Sequence, residues 1–517
     1  MDAPIGFAEY YRRFAGLLLG LLLGAYIVLN KPFALVGWPP LYIGEIVLAA
    51  TIPAVLLFFK TDVADAIRRN WGLSIVAAFF LYGLVRIGMD VRTYGWWAPR
   101  DGVVAGYALL AVLAPALWRP PPVGDDMRSP RWIGLAGRVW LALIPVSAFS
   151  IYWALSVLNG WVDLTQPPWK DNKPDFVTLA AAIAAWIFFV SALRFHPFRR
   201  SIPGNRALYA GLFILFGVAA AYAASLVLKL PTRAVWISAL PLGAVCLLTL
   251  PTSRSAQRGL FALGAVAVVV GAAILLPPRL EAPKKLAAEY ELDKNLDWSI
   301  AELETRLRLY PETYPAFDVN LDLTNLDPLA QRERLGSLFN PNEASFSTQA
   351  GQRGAHANKW RLVFWQRAIN YTMYHSAAIG IGFGPNITNV NRETPAWPMF
   401  LPAMSVGNRN PHSAHLTIFV RMGFVGLVLW LAILVTTMLA AIGALWTCRN
   451  QMAQDSTEEY RALHRARFFD LLAVFGVWLI YLCTMSFSVT LENPMGGMPF
   501  WALTGVLLVA TRRQTIS

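Results

Sequence analysis

Charge is what this chain has least of. Of its 517 residues, 15% are charged and 56% are hydrophobic, whereas soluble domains carry about 25% charged residues. The shortage excludes an ordinary soluble fold and, with 20 Trp, points to a polytopic membrane protein whose aromatics crowd the bilayer interfaces. Cysteine is scarce as well. Cys246, Cys448 and Cys483 lie in or beside apolar runs and have neither metal-ligand spacing nor a disulfide role. No internal repeat and no separately folding soluble domain is visible. An Asp-x-Asp to hold a divalent ion against a diphosphate is missing, and Glu291-Leu-Asp293 and Glu302-Leu-Glu304 read as solvated faces of a charged helix, so no metal site and no cofactor are expected. Gly380-Ile-Gly-Phe-Gly384 has no βαβ context and is read as a turn or extended loop, not a nucleotide-binding loop.

What is present is a series of apolar runs, each near the ~20 residues that cross a bilayer. Tyr10-Tyr11-Arg12-Arg13 precedes a run from Phe14 to about Leu29 that resembles a signal sequence but lacks a clean cleavage site, so it is read as the first span. Further spans fall at about 41–59, 71–89, 102–118, 139–158, 176–193, 207–228, 234–250, 259–276, 415–446, 468–487 and 498–511. The expected fold is therefore all-α, with about twelve transmembrane helices: residues 1–276 supply the first nine, 277–412 one large polar section, and 413–517 the last three.

The net charge of +13 would suggest nucleic acid in a soluble protein, but here its placement is topological. With the N-terminus in the cytoplasm, the inside segments hold 21 Lys and Arg against seven in the short outside loops, which is the asymmetry that orients membrane proteins. Both termini are then expected inside and the section from about 277 to 412 outside. That section reads as an amphipathic helix over 280–309, proline-broken loops, and a second helix from about Ala355 to Tyr374.

Ionisable groups in or beside spans are candidates for function because burying them is costly. Arg86 lies near the outer end of the third span, Arg233 opens the eighth, Arg361 begins a helix in the outer section, and Arg421 sits two turns into the tenth. Singly, each reads equally well as a snorkelling or carboxylate-paired residue. Together on one side they favour an anion site, since guanidinium forks match phosphate oxygens. His412 and His415, three apart, would share one face of the entering helix.

Three segments carry a resemblance. Thr232-Arg233-Ala-Val-Trp236, then Arg361-Leu-Val-Phe-Trp365 with His375 and Gly380-Ile-Gly-Phe-Gly384-Pro-Asn386, then His412-Ser-Ala-His-Leu416 with Arg421-Met-Gly423 and Gly426, are similar in order and spacing to the motifs of the O-antigen ligase and polymerase superfamily of bacterial envelope glycosyltransferases. The chain departs from the pattern at Thr232 and Ser413 and in the long section between Arg233 and Arg361. The resemblance implies a GT-C-like membrane enzyme in the bacterial inner membrane. It would perform a metal-independent, inverting transfer at the periplasmic face, from a glycan on undecaprenyl diphosphate to a sugar hydroxyl of lipid A–core or of another glycan. His412 would be the base, Arg233 and Arg361 the diphosphate ligands, and Arg421, Arg86 and His415 secondary candidates. Expected partners are the lipid-linked donor, the acceptor, membrane lipids and polysaccharide-assembly proteins, but not nucleic acid. The apolar flank at Trp96-Trp97 would receive the polyprenyl tail. A polymerase of the same superfamily would share the site and differ in acceptor. A transporter or flippase would explain the spans without chemistry, but no repeat relates the two halves.

Overall fold

Apolar runs cross a bilayer as helices because every amide and carbonyl then finds its partner within the segment. The computed structural model is helical accordingly and describes residues 7–34, 36–38, 41–58, 60–118, 135–161, 174–195, 206–229, 235, 237–249, 365, 368–374, 376–385, 411–454, 457–488 and 490–512. In chain order these form α1 (Phe7–Ala34), a two-residue antiparallel ladder of β1 (Gly37–Trp38) and β2 (Leu41–Tyr42), α2 (Ile43–Phe58), α3 (Lys60–Arg69) and α4 (Trp71–Tyr94). The short helices α5 (Trp97–Asp101) and α6 (Val103–Gly106) lead through a 3₁₀ turn (Tyr107–Leu109) into α7 (Leu110–Trp118). Then come α8 (Leu135–Leu158), α9 (Pro174–Arg194), α10 (Arg206–Lys229), α11 (Ala239–Thr249), α12 (Ala414–Gln454), α13 (Glu458–Ser486) and α14 (Pro494–Arg512).

The expectation of about twelve spans meets seven helices long and apolar enough to cross a membrane among the described residues: α1, α4, α8, α9, α10, α12 and α13. The segments Ile43–Ile52, Val103–Trp118 and Pro494–Ala510 are apolar but shorter. The ninth expected span, 259–276, and the polar section from 277 to 364 lie outside the described residues. Of the second expected outer helix, Trp365 and 368–374 are described and helical, and Ser376, beyond the expected end at Tyr374, is helical as well.

α9 and α13 are the buried centre: α9 packs against α8, α10 and α13, and α13 against α12 and α14. α12 also packs on α4, and α14 on α7 and α1. Phe79 of α4, Trp430 of α12, Trp478 of α13, and Phe500 and Trp501 of α14 form one aromatic knot with centroids 5.6–6.2 Å apart. Trp478 also donates to Thr504 Oγ1 at 2.9 Å, so its buried indole nitrogen is satisfied. The outward stripe of α12, Val428, Leu431, Val435 and Leu439, is exposed. Its three-to-four spacing is that of a helix face turned to lipid.

The two ends of the bundle differ. At one end Asn70 caps α4 through Oδ1, which accepts from the amides of Gly72 and Leu73, while its Nδ2 donates to the carbonyl of Leu508 at 2.7 Å. Arg194 pairs with Asp470, and its guanidinium lies 4.1 Å from the ring centre of Trp140. The other end, where α4 finishes and α12 and α14 begin, carries the candidate site.

Candidate functional site

α12 runs for 41 residues but is interrupted at Gly423, whose φ of 64° and ψ of −161° leave the helical region. A break in an apolar helix exposes amides and carbonyls that must be paired elsewhere. Here the segment 377–382 supplies the partners. The amides of Phe424 and Val425 donate to the carbonyls of Ala377 and Ala378 at 2.9 and 3.1 Å. The carbonyls of Val420 and Arg421 accept from Ile381 and Gly382 at 2.8 and 3.2 Å, and that of Met422 accepts from the Tyr82 hydroxyl at 3.0 Å.

The glycine-rich stretch is thus a loop, as read, and its composition has a cause. Gly380, Gly382 and Gly384 have φ of 74°, 86° and 101°, the left-handed side that other residues avoid. A Cβ at Gly380 would strike the backbone of Met422 and Gly423, and one at Gly382 the carboxylate of Asp90. The remaining loop amides find carboxylates: Phe383 donates to Asp90 Oδ2 at 2.7 Å and Gly384 to Asp101 Oδ2 at 3.2 Å.

Arg421 and Arg86 close this arrangement. Arg421, 1% exposed, donates from one nitrogen to the carbonyls of Gly382 and Pro385 at 3.1 and 2.7 Å, and its other nitrogen stands 3.2 Å from Asp101. Arg86, 5% exposed, donates to the carbonyl of Gly380 at 3.3 Å and lies 3.8 Å from Asp90. Its Nε has no acceptor among the described residues. Among the described residues, two guanidinium groups and two carboxylates balance in this cluster.

His412 stands in the turn that opens α12. Its φ is 57°, a conformation that costs a non-glycine residue roughly 1–2 kcal/mol. Neighbours hold it there. The indole of Trp365 donates to the carbonyl of Pro411 at 2.6 Å, and the amide of Thr417 takes the carbonyl of Ser413 at 2.8 Å as the first bond of the helix. The imidazole itself is half-buried while Pro411 and Ser413 are buried.

The expected pairing of His412 and His415 on one helix face is corrected: α12 begins at Ala414, so His412 precedes it and the spacing of three has no helical meaning. His415 points inward instead. Trp430 donates its indole hydrogen to His415 Nδ1 at 2.9 Å. An indole nitrogen only donates, so the ring proton sits on Nε2, which donates to Ser486 Oγ at 2.9 Å, and that hydroxyl donates to the carbonyl of Leu482 at 2.8 Å. Both ring nitrogens are used, Nδ1 within α12 and Nε2 in joining α12 to α13.

Nearby, Thr417 donates to a carboxylate oxygen of Glu492, in the turn before α14. Glu492, Asp90 and Asp101 escaped the sequence reading. Asp90 carried a local signal, an Arg four residues before it in an apolar helix, but the partners of Asp101 and Glu492 are distant in the chain. Arg233, Arg361, His375 and Asn386 lie outside the described residues. Trp96 and Trp97 are exposed, and the Arg100 guanidinium lies 4.6 Å from the ring centre of Trp97.

A helical membrane protein with a glycine loop docked into a broken helix, beside a histidine turn, is the class these observations define. Residues 218–431 match the family model described as O-antigen ligase, a stretch that takes in Arg233, Arg361, the glycine loop, His412 and Arg421. The match spans less than half of the chain; the stretch is similar to the O-antigen ligase and polymerase superfamily, and the match supports glycosyltransferase-type activity in general. Among curated proteins none matches the chain.

Proposed function

We propose that the protein transfers a glycan from undecaprenyl diphosphate to a sugar hydroxyl of lipid A–core or of another glycan at the periplasmic face of the inner membrane. The observation that carries this reading is the His412 turn, half-buried and held from both sides within the stretch that matches O-antigen ligase. An acceptor hydroxyl is a weak nucleophile, and a neutral imidazole near pH 7 is a suitable base, contributing typically ~10²–10⁴-fold. His412 takes the hydroxyl proton as the acceptor oxygen bonds to the anomeric carbon. The bond from that carbon to the phosphate oxygen breaks, and the diphosphate leaves with the electron pair. One displacement inverts the anomeric configuration.

Arg233 and Arg361 hold the diphosphate and stabilise the charge that develops on it, a role that preorganised cations fill well. Chemistry of this kind needs no metal. The exposed Trp96 and Trp97 flank receives the polyprenyl tail.

The test is purified full-length protein in detergent with lipid-linked glycan, excess chelator and, in separate reactions, lipid A–core or a second lipid-linked glycan. Transfer with inversion to the first acceptor identifies a ligase, and to the second a polymerase. Retention of configuration, a strict need for a divalent ion, or glycan movement across vesicles without transfer contradicts the proposal.

A further inference from the structure

Resting on that reading, a second layer of residues can be assigned. The sequence offers Arg421 and Arg86 as further anion ligands, but the structure commits them elsewhere. The amides of residues 381–384 and the carbonyls of Gly380, Gly382 and Pro385 can each be followed to a partner, and the partners fall into two sets. The amides of Ile381 and Gly382 are held by carbonyls of α12, and those of Phe383 and Gly384 by Asp90 and Asp101. The carbonyl of Gly380 is held by Arg86, and those of Gly382 and Pro385 by Arg421.

Each carboxylate therefore does two things: it accepts a loop amide and it balances an arginine that holds a loop carbonyl. Burying charges of this kind is costly unless they are paired and hydrogen-bonded. Here the pairing wraps the loop's backbone from α4 on one side and α12 on the other.

The consequence reaches His412. The loop is bonded to residues 420–425, directly after the short helical stretch whose first turn follows His412. The helix that precedes the loop packs Ala368 against Leu416, Phe419 and Val420, and its Trp365 holds the carbonyl of Pro411. So the segment 365–385 grips the segment 411–425 at both ends, and the loop is one of the two grips.

We infer that Asp90 and Asp101, with Arg86 and Arg421, are positioning residues. They form a charge-balanced brace that fixes the loop 380–385 on the break in α12 and thereby sets the turn bearing His412. Arg421 is then not a diphosphate ligand.

The experiment uses the full-length protein in detergent and the variants Arg421→Lys, Asp101→Asn and Asp90→Asn, with Asp101→Glu as a conservative variant and Arg233→Lys as reference. Lys keeps the charge of Arg421 but cannot reach two carbonyls and a carboxylate together. Donor KM and kcat are measured with lipid-linked glycan, and amide hydrogen exchange is followed in peptides covering 377–385. The brace predicts that Arg421→Lys and Asp101→Asn each lower kcat roughly 10–100-fold through misplacement of the base. Donor KM stays within about twofold, and loop exchange accelerates at least about tenfold, as expected when a local opening becomes cheaper. Asp101→Glu restores part of kcat and of the protection. Arg233→Lys lowers kcat as well but differs in the other two readouts, raising donor KM and leaving loop exchange unchanged.

If Arg421→Lys raises donor KM as Arg233→Lys does and leaves exchange alone, Arg421 is an anion ligand and the brace is wrong. Unchanged exchange in Asp101→Asn also overturns it. Should the wild-type protein transfer nothing, the reading of function fails while the exchange arm still decides the brace. A variant too unstable to purify is replaced by Asp90→Asn, which removes the other carboxylate and must give the same acceleration.

Discussion

At the scale of single residues, the two histidines separate by what their nitrogens touch. His415 has an indole on one nitrogen and a serine hydroxyl on the other, which leaves no lone pair for an acceptor hydroxyl. His412 sits ahead of the helix in a strained turn, and strain of this kind persists only where surrounding contacts hold it. The sequence could nominate both residues and place the start of the span at about 415, but the spacing of three did not show that His412 leaves the helical conformation in the turn before Ala414. Asp101 and Glu492 were illegible for a related reason: their partners are remote, Arg421 and Gly384 for one and Thr417 for the other. The arginines proposed to hold the diphosphate make a residue-scale prediction. Arg233→Lys and Arg361→Lys keep the charge and lose the bidentate fork, so transfer should fall by roughly a hundredfold, the order seen when one preorganised charge-stabilising group is lost. Arg254→Lys, expected in a cytoplasmic turn, should transfer normally. Equal rates for all three in the detergent assay, at matched protein levels, would rule out the two arginines as diphosphate ligands.

At the scale of elements, the spans were readable where hydropathy ran unbroken and were misjudged where geometry interrupts it. The tenth span appears in sequence as one run from 415 to 446, yet the chain breaks at Gly423, and only the docking of 377–382 makes that break tolerable. Nothing local in Arg421-Met-Gly423 announces a partner some 40 residues earlier. The fourth span was likewise expected as one helix, but α6, a 3₁₀ turn and α7 share its length. The glycine loop was recognised as a loop, and its three glycines are now explained by positive φ and by what a Cβ would strike. This supplies an element-scale prediction. Gly382→Ala forces a side chain toward Asp90 at a φ of 86° and should destabilise the protein by more than about 1 kcal/mol. Gly443→Ala lies in the body of α12 with nothing within 4 Å of its Cβ and should leave stability unchanged or slightly higher. Thermal melting of the two purified variants decides: if Gly382→Ala melts with or above Gly443→Ala, the loop is not packed as described.

At the scale of the whole molecule, class was the most legible property. The shortage of charge and the series of apolar runs are global quantities that no local override can hide, and the bundle agrees with them through its long apolar helices. The site was legible only through motifs, and these coincide with the stretch 218–431 that matches O-antigen ligase. Arg86, Asp90, Asp101 and Glu492 fall outside that stretch, in α4, in α5 and before α14. The bundle is what carries them to the histidine turn, through the aromatic knot that joins α4, α12, α13 and α14. A bundle serving this end should therefore do its chemistry through His412, and the most direct measurement is the initial rate of glycan transfer by purified His412→Ala, beside wild type and His415→Ala, with lipid-linked donor, acceptor and excess chelator. The account predicts a fall of roughly 10²–10⁴-fold for His412→Ala with donor binding largely kept, and measurable transfer by His415→Ala. Near-normal turnover by His412→Ala, or loss confined to His415→Ala, would contradict it.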